Sequence, residues 1–245
     1  MITVERPLVD LHSHSDYSGD GGIAIATLEE IVQFGSSNPG NTYPDVLAVT
    51  DHDVIGRAVV EVSEASNGRI IVGEEITTFY RGSKIEIVGL YLKEHIAKGK
   101  DTVDVMKEIH AQGGLVYVPH PYDIAKKGVP QQYMNEIYEA GQFDIVEAYN
   151  SRATKRRLEQ SAQFWAKMNG VVIASGTDAH GEYGLNGTGN YLSEYPTRET
   201  LVPLLGAAAL SKIPATFRGR ALPTQNRISH LMSNTALFGL QLVQQ

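Results

Sequence analysis

Seven short apolar runs recur along the chain, each closed by turn residues and followed by a segment with helical spacing, and few folds accept that alternation. The runs are Leu8–His12, Val46–Thr50, Ile70–Gly73, Ile85–Leu92, Leu115–Val118, Ile145–Tyr149 and Val171–Ser175. Helical segments are expected at Thr27–Phe34, Arg57–Ser66, Thr102–Gln112, Gln131–Ala140, Thr154–Met168, Arg198–Leu210 and Arg227–Leu240. Thr27 with Glu30 resembles a capping box, and Gly113-Gly114 suits a helix C-cap. Strands alternating with helices build a parallel sheet, and 245 residues is close to the ~250 typical of one α/β barrel. One connection departs from the rule. Arg81-Gly82-Ser83 is too short for a parallel crossover, which predicts an antiparallel hairpin from Glu75–Tyr80 into Lys84–Leu92. The expectation is therefore an α/β fold, a distorted seven-stranded (β/α) TIM-like barrel forming one domain over 1–245. Residues 211–245 read as a helical extension packed on it, with an apolar stripe of Ile228, Leu231, Met232, Leu237 and Leu240. Gly181–Asn190, rich in glycine, reads as a mobile loop.

Composition narrows the chemistry. With no cysteine, disulfides, thiolate metal sites and a thiol nucleophile are excluded, so any metal must sit on His, Asp and Glu. The formal charge of -7 disfavours a surface that holds long duplex nucleic acid, while leaving a small anionic substrate allowed. No apolar stretch approaches the ~18 residues of a membrane span, and the first residues lack a signal core, which predicts a cytoplasmic protein with no membrane partner.

The histidines fall where barrel enzymes keep their chemistry. His12, His14, His52, His120 and His180 lie at or just beyond the C-terminal ends of expected strands. The spacing of His12 and His14 points both rings the same way, and Asp178 with His180 repeats it. Carboxylates arrive in the same places: Asp16, Asp20, Asp51, Asp53, Glu74, Glu75, Glu86 and Glu147. Imidazole with carboxylate is a ligand set for Zn, Mn or Fe. A lone histidine is more often a satisfied core or surface residue, and His95, His110 and His230 are read that way. Five histidines and several carboxylates converging on one face would set like charges against each other without a metal, so a polynuclear site is expected.

At these residues the chain resembles a known family. Asp10-Leu11-His12-Ser13-His14, Tyr17-Ser18-Gly19-Asp20-Gly21, Thr50-Asp51-His52-Asp53, Gly73-Glu74-Glu75-Ile76, His120-Pro121 and Thr177-Asp178-Ala179-His180 are similar to the ordered motifs of the polymerase and histidinol phosphatase (PHP) superfamily. The resemblance covers residues 8 to 181 and implies a distorted seven-stranded barrel that holds two or three divalent ions, Mn, Fe or Zn, and hydrolyses phosphoesters. It implies one metal on His12, His14, Glu75 and Asp178, a second on Glu75 and His120, and a third on Asp20, His52 and His180. In similar phosphoesterases the position before Ile-Val-Gly-Leu is a histidine ligand of the second metal; here it is Glu86, a harder ligand that favours Mn²⁺ or Fe. Asp51 and Asp53 are expected to orient ligands as hydrogen-bond acceptors.

Four carboxylates at this proposed site, Asp20, Glu75, Glu86 and Asp178, set its charge. Three divalent ions would leave it two charges positive, suited to a phosphate dianion, and two ions would leave it neutral. The implied reaction is attack on phosphorus by a metal-held water, with no side-chain nucleophile. Arg152, just beyond the sixth strand, is placed to pair with a phosphate, Arg218 and Arg220 form a second small cationic cluster, and Lys126-Lys127 follow His120 at loop distance. The substrate class expected is a small phosphorylated metabolite or nucleotide. Two alternatives stand beside it: an amidohydrolase-type metal hydrolase, which would not need the Asp20–His52–His180 cluster, and a non-catalytic metal-binding accessory module.

Overall fold

The structure of the chain, a computed structural model, describes residues 6–35, 43–185 and 187–214. Seven strands follow the expected runs: β1 (Leu8–Ser13), β2 (Val46–Val49), β3 (Ile70–Tyr80), β4 (Ser83–Leu90), β5 (Leu115–Val118), β6 (Ile145–Asn150) and β7 (Val172–Gly176). Two more, β8 (Gly189–Tyr191) and β9 (Ala209–Ser211), bring the sheet to nine, in the order β7-β6-β5-β4-β3-β2-β1-β8-β9. The expected seven-stranded count is corrected accordingly. β3 and β4 form the antiparallel hairpin that the short Arg81-Gly82-Ser83 connection requires, with Glu75 opposite Val88 and Thr77 opposite Glu86. β4 and β5 are also antiparallel, while β1, β2 and β3, and again β5, β6 and β7, run parallel.

The sheet curls until its two ends nearly meet. β7 and β1 share no ladder; the residues just past β7 bond β1 instead, Asp178 N–H to the His12 carbonyl (2.8 Å) and His14 N–H to the Ala179 carbonyl (2.9 Å). Lower down, β8 pairs antiparallel with Leu8 and Val9, and Asn190 fills the gap. Its amide nitrogen donates to the carbonyls of Val9 and Ser175, and its amide oxygen accepts from Ser175 N–H, each at 2.9 Å. Asn190 is fully buried and so joins the two barrel ends by side-chain bonds where backbone bonds are missing.

Apolar side chains fill the barrel and coat its outside. The interior cluster holds Val9, Leu11, Val46, Ala48, Ile71, Val88, Leu90, Tyr117, Ile145 and Ala174, and Leu201 and Leu205 of α6 (Leu201–Gly206) join it. α1 (Ile25–Phe34) and α2 (Arg57–Ala65) lie over β2 and β3 through Leu28, Ile31 and Val59. α3 (Thr102–Ala111), α4 (Met134–Gly141) and α5 (Arg156–Asn169) cover β4 to β6 through Met106, Ile109, Ile137 and Ala162. Asp101 caps α3 by accepting from Val103 N–H at 2.9 Å, worth about 1 kcal/mol, and Gly113 ends the helix at φ 79.

Several boundaries differ from expectation. Thr27 lies inside α1 and donates its hydroxyl to Glu182 at 2.5 Å, so no capping box forms. The expected Arg198–Leu210 helix stops at Gly206, and Ala209–Ser211 pairs with β8. Gly181–Asn190, expected as a mobile loop, contains a short 3-10 turn and the start of β8. Arg218, Arg220, His230 and the Arg227–Leu240 stripe lie outside the described residues. No described helix is long and apolar enough to cross a membrane.

Candidate metal centre

His12, His14, His52, His120 and His180 meet the carboxylates of Asp20, Glu75, Glu86 and Asp178 at one end of the barrel, while Asp16 is exposed. A register shift between Asp10 and Ser13 of β1 lets Leu11 stay in the apolar interior while His12 and His14 turn to the rim, ring centroids 5.4 Å apart. Glu75 stands at the centre. His120 Nε2 is 3.0 Å and His12 Nε2 3.5 Å from its Oε1; His52 Nδ1 is 3.1 Å and His14 Nε2 3.5 Å from its Oε2. Asp178 Oδ1 lies 3.5 Å from His14 Nε2, 4.0 Å from His12 Nε2 and 3.4 Å from His180 Nδ1. Asp20 Oδ2 is 3.0 Å from His180 and 3.5 Å from His52. Glu86, across the hairpin, is 3.7 Å from His52 and 4.0 Å from His120.

Glu74, next to Glu75, points to the other face of β3, where it accepts from His95 Nδ1 (2.7 Å) and Ile96 N–H (3.0 Å). Asp51 and Asp53 hold backbone instead of imidazole. Asp51 accepts from the Ser15 N–H and hydroxyl, both at 2.6 Å, and Asp53 accepts from Thr77 N–H at 2.7 Å. The acceptor that grips a site histidine is Glu147, whose Oε1 lies 3.0 Å from His12 Nδ1. Glu147 also takes the Tyr117 hydroxyl (2.8 Å), His120 N–H (2.6 Å) and Asn150 Nδ2 (2.9 Å). Its sequence signal was a carboxylate inside an otherwise apolar strand, though nothing there named its partner. Asp10 clamps β1 to the segment after β7 through the Thr177 N–H (3.0 Å) and hydroxyl (2.5 Å), and burial pushes its pKa up to about 7 against those bonds.

The donor set fits divalent cations. With Glu147 accepting from His12 Nδ1, the buried His12 Nε2 is the atom left free to ligate and has no hydrogen-bond partner; His14 Nε2 is likewise buried and unpartnered. Both nitrogens face carboxylate oxygens across 3.5 Å, too far for a good hydrogen bond and a span that a cation between them would fill. Ligands of a tetrahedral zinc at ~2.1 Å stand roughly 3.4 Å apart, and the His12–Glu75, His14–Glu75 and His14–Asp178 separations are each 3.5 Å. Donor atoms of His12, His14 and Glu75, and separately of His52, Glu75 and Glu86, all lie within 4.8 Å of one another. Burial lowers the pKa of His14 and the neighbouring His180 and His52 reinforce it, which keeps the ring neutral and able to ligate. Burial raises Glu75 and Asp178, but His12 and His52 around the first and Lys126 beside the second hold both well below the usual carboxylate range.

The cluster opens into a cavity of about 240 Å³ whose wall also carries Lys126, Lys127 and Arg152. Lys126 contacts Asp178 and Lys127 contacts Glu86. Arg152 donates to the Asp178 carbonyl at 3.1 Å and contacts the His180 ring. Two of the candidate ligands sit in left-handed backbone, His120 at φ 30 and Asp178 at φ 55. Such conformations cost of order 1–3 kcal/mol each and persist where surrounding structure enforces them.

No family model matches the chain. The uncharacterized protein MJ1587 of Methanocaldococcus jannaschii is 33% identical over 122 residues, which span 46% of this chain and 67% of that protein. Among solved structures, a two-domain protein of Bacteroides vulgatus containing a predicted PHP-like metal-dependent phosphoesterase superposes with a TM-score of 0.61 at 19% identity, over 84% of this chain. The chain spans 65% of that protein's length. An amidohydrolase from Chromobacterium violaceum, with bound sulfate and no metal, superposes with a TM-score of 0.57 at 15% identity, over 82% of this chain and 97% of that one. The chain belongs to one family with MJ1587, on the barrel fold of the PHP-like metal-dependent phosphoesterases.

Proposed function

We propose that the chain is a metal-dependent phosphoesterase acting on a small phosphorylated compound. The observation that carries this reading is the pair of orphaned, buried imidazole nitrogens of His12 and His14 aimed at Glu75 and Asp178. Divalent ions held by those residues and by His120, His52, His180, Glu86 and Asp20 would supply Lewis-acid polarisation of a phosphoryl oxygen and a water acidic enough to ionise near neutral pH.

The cavity wall speaks for an anion. Beside its four carboxylates stand Lys126, Lys127 and Arg152, which reduce the side-chain charge, histidines neutral, to one negative. Two divalent ions would make it three positive, so the cationic side chains remove the need for a third ion to attract a phosphate dianion. Arg152 presents a forked donor suited to phosphate oxygens. At ~30 Å³ per water, the cavity of about 240 Å³ has room for ions and one phosphate-sized group. The remainder of a larger substrate would lie outside its mouth. The fold is shared with an amidohydrolase, which supports a wider hydrolase reading, but that enzyme was solved with sulfate, a tetrahedral dianion. The approach of Asp20 to both His52 and His180 adds a donor cluster that a binuclear amidohydrolase does not require.

Chelated protein is expected to lose hydrolysis of a phosphomonoester and to regain it with Mn²⁺, and His14→Ala to abolish it. Turnover independent of metal, or activity confined to amides, would overturn the reading.

A further inference from the structure

Lys127 meets Glu86 twice. Its own carbonyl accepts Glu86 N–H at 2.9 Å, and its ammonium contacts the Glu86 carboxylate, so one residue grips both the backbone and the side chain of the same partner. The turn that carries it is fixed on two further sides. Gly128 N–H returns to the Asp123 carbonyl at 2.9 Å, and the Asp123 carboxylate takes the Thr154 N–H (3.1 Å) and hydroxyl (2.6 Å) in the loop before α5. Lys127 itself is left-handed, φ 58. The ammonium therefore reaches Glu86 from a built position.

The oxygen it meets is Oε1 of Glu86, the one that lies 3.7 Å from His52 Nδ1. Glu86 belongs to the His52–Glu75–Glu86 group of donors. An ammonium and a divalent ion on the same carboxylate repel at short range.

We propose that Lys127 is the resident counter-ion of Glu86, a positioning residue that makes the His52–Glu75–Glu86 cradle the weakest and most exchangeable cation position of the centre. A metal entering there must displace the ammonium, which is then free to face the cavity. The proposal rests on the metal-hydrolase reading of the site.

Left-handed backbone suits asparagine and glycine better than lysine, so Lys127→Asn and Lys127→Gly remove the charge at a position where the fold favours the new residue. Lys127→Arg keeps the charge. Mn²⁺ is titrated into the chelated full chain, and the number of ions bound and the affinity of each are read by electron paramagnetic resonance and chelator competition. The weakest ion is expected to bind about tenfold more tightly in Lys127→Asn and Lys127→Gly than in the wild type and Lys127→Arg, within the range of ordinary coupling between sites. The tighter ions should be unchanged, and in a Glu86→Gln background Lys127→Asn should make no difference. Equal affinities in all four proteins, or equal tightening of every ion, would overturn the proposal while leaving the metal centre intact. Absence of Mn²⁺ binding in the wild type would overturn both.

Discussion

Glu147 accepts four hydrogen bonds, from His12, Tyr117, the His120 backbone and Asn150, and all four of its partners are buried. Gly176 makes room for it: a Cβ there would stand 2.4 Å from Glu147 Oε1 and 2.8 Å from the His12 Cβ. Burial raises its pKa, yet His12 above all pulls it below the ordinary value, so it stays a carboxylate that fixes the His12 ring with Nε2 toward Glu75. Glu147→Gln would turn one of those oxygens into a donor facing donors. The expected result is a loss of about 1–3 kcal/mol in urea denaturation and a 10–100-fold weaker Mn²⁺ affinity in chelator competition. Wild-type affinity would show that His12 is oriented by something else. The contrast with Asp51 and Asp53 explains what was legible at this scale. Both flank His52 in sequence and are expected from it to orient ligands, but strand ends alternate direction and carry their carboxylates to Ser15 and Thr77. The residue types and the strand ends at which they gather are written in the chain. Which carboxylate meets which imidazole depends on pairing across strands far apart in sequence.

β1 to β7 were readable because each is a run of apolar residues long enough to show its period, and the hairpin because three connecting residues permit nothing else. β8 and β9 were not. Each is three residues long, and Ala207-Ala208-Ala209-Leu210 has the composition of a helix. They form because β1 would otherwise expose an unpaired lower edge, which the Leu8–Tyr191 and Val9–Asn190 pairs cover. Asn190 is the residue on which that closure turns. Asn190→Ala would leave the Ser175 carbonyl and N–H without partners in a dry interior and take one donor from the Val9 carbonyl. Unfolding is expected to become easier by about 2–5 kcal/mol, read as a lower urea midpoint, with amide exchange accelerating first at Ser175. A change under 0.5 kcal/mol, within the range of ordinary surface substitutions, would show that water or a shifted β8 satisfies those groups instead.

Across the whole molecule the centre couples stability to pH, and the sign of that coupling depends on whether cations are bound. In chelated protein the carboxylates hold protons on His12 and His52. Burial lowers the pKa of His52, but Glu75 foremost, with Asp20 and Glu86, raises it from 6.5 to about 9. A histidine whose folded pKa exceeds its unfolded value stabilises the fold fully below 6.5 and loses that contribution as pH rises through about 9. With Mn²⁺ bound the same rings must be deprotonated, so stability rises with pH up to about 6.5 and then levels. The two curves diverge between pH 6.5 and pH 9. At a free metal concentration 100 times Kd, one ion adds about 2.7 kcal/mol. For a chain of this size that is a Tm gain of about 5–10 °C. Thermal melts of chelated and Mn²⁺-loaded protein at pH 6, 7, 8 and 9 should show the gap widening steadily with pH. The widening is expected to shrink in His52→Gln, which has no proton to release, and to persist in His110→Gln, whose ring pairs with Asp144 at 2.9 Å away from the centre. A gap that stays constant over this range would mean that the imidazoles and carboxylates at the barrel mouth do not exchange protons for metal, and the centre would then need a different account of what keeps its acidic side chains together.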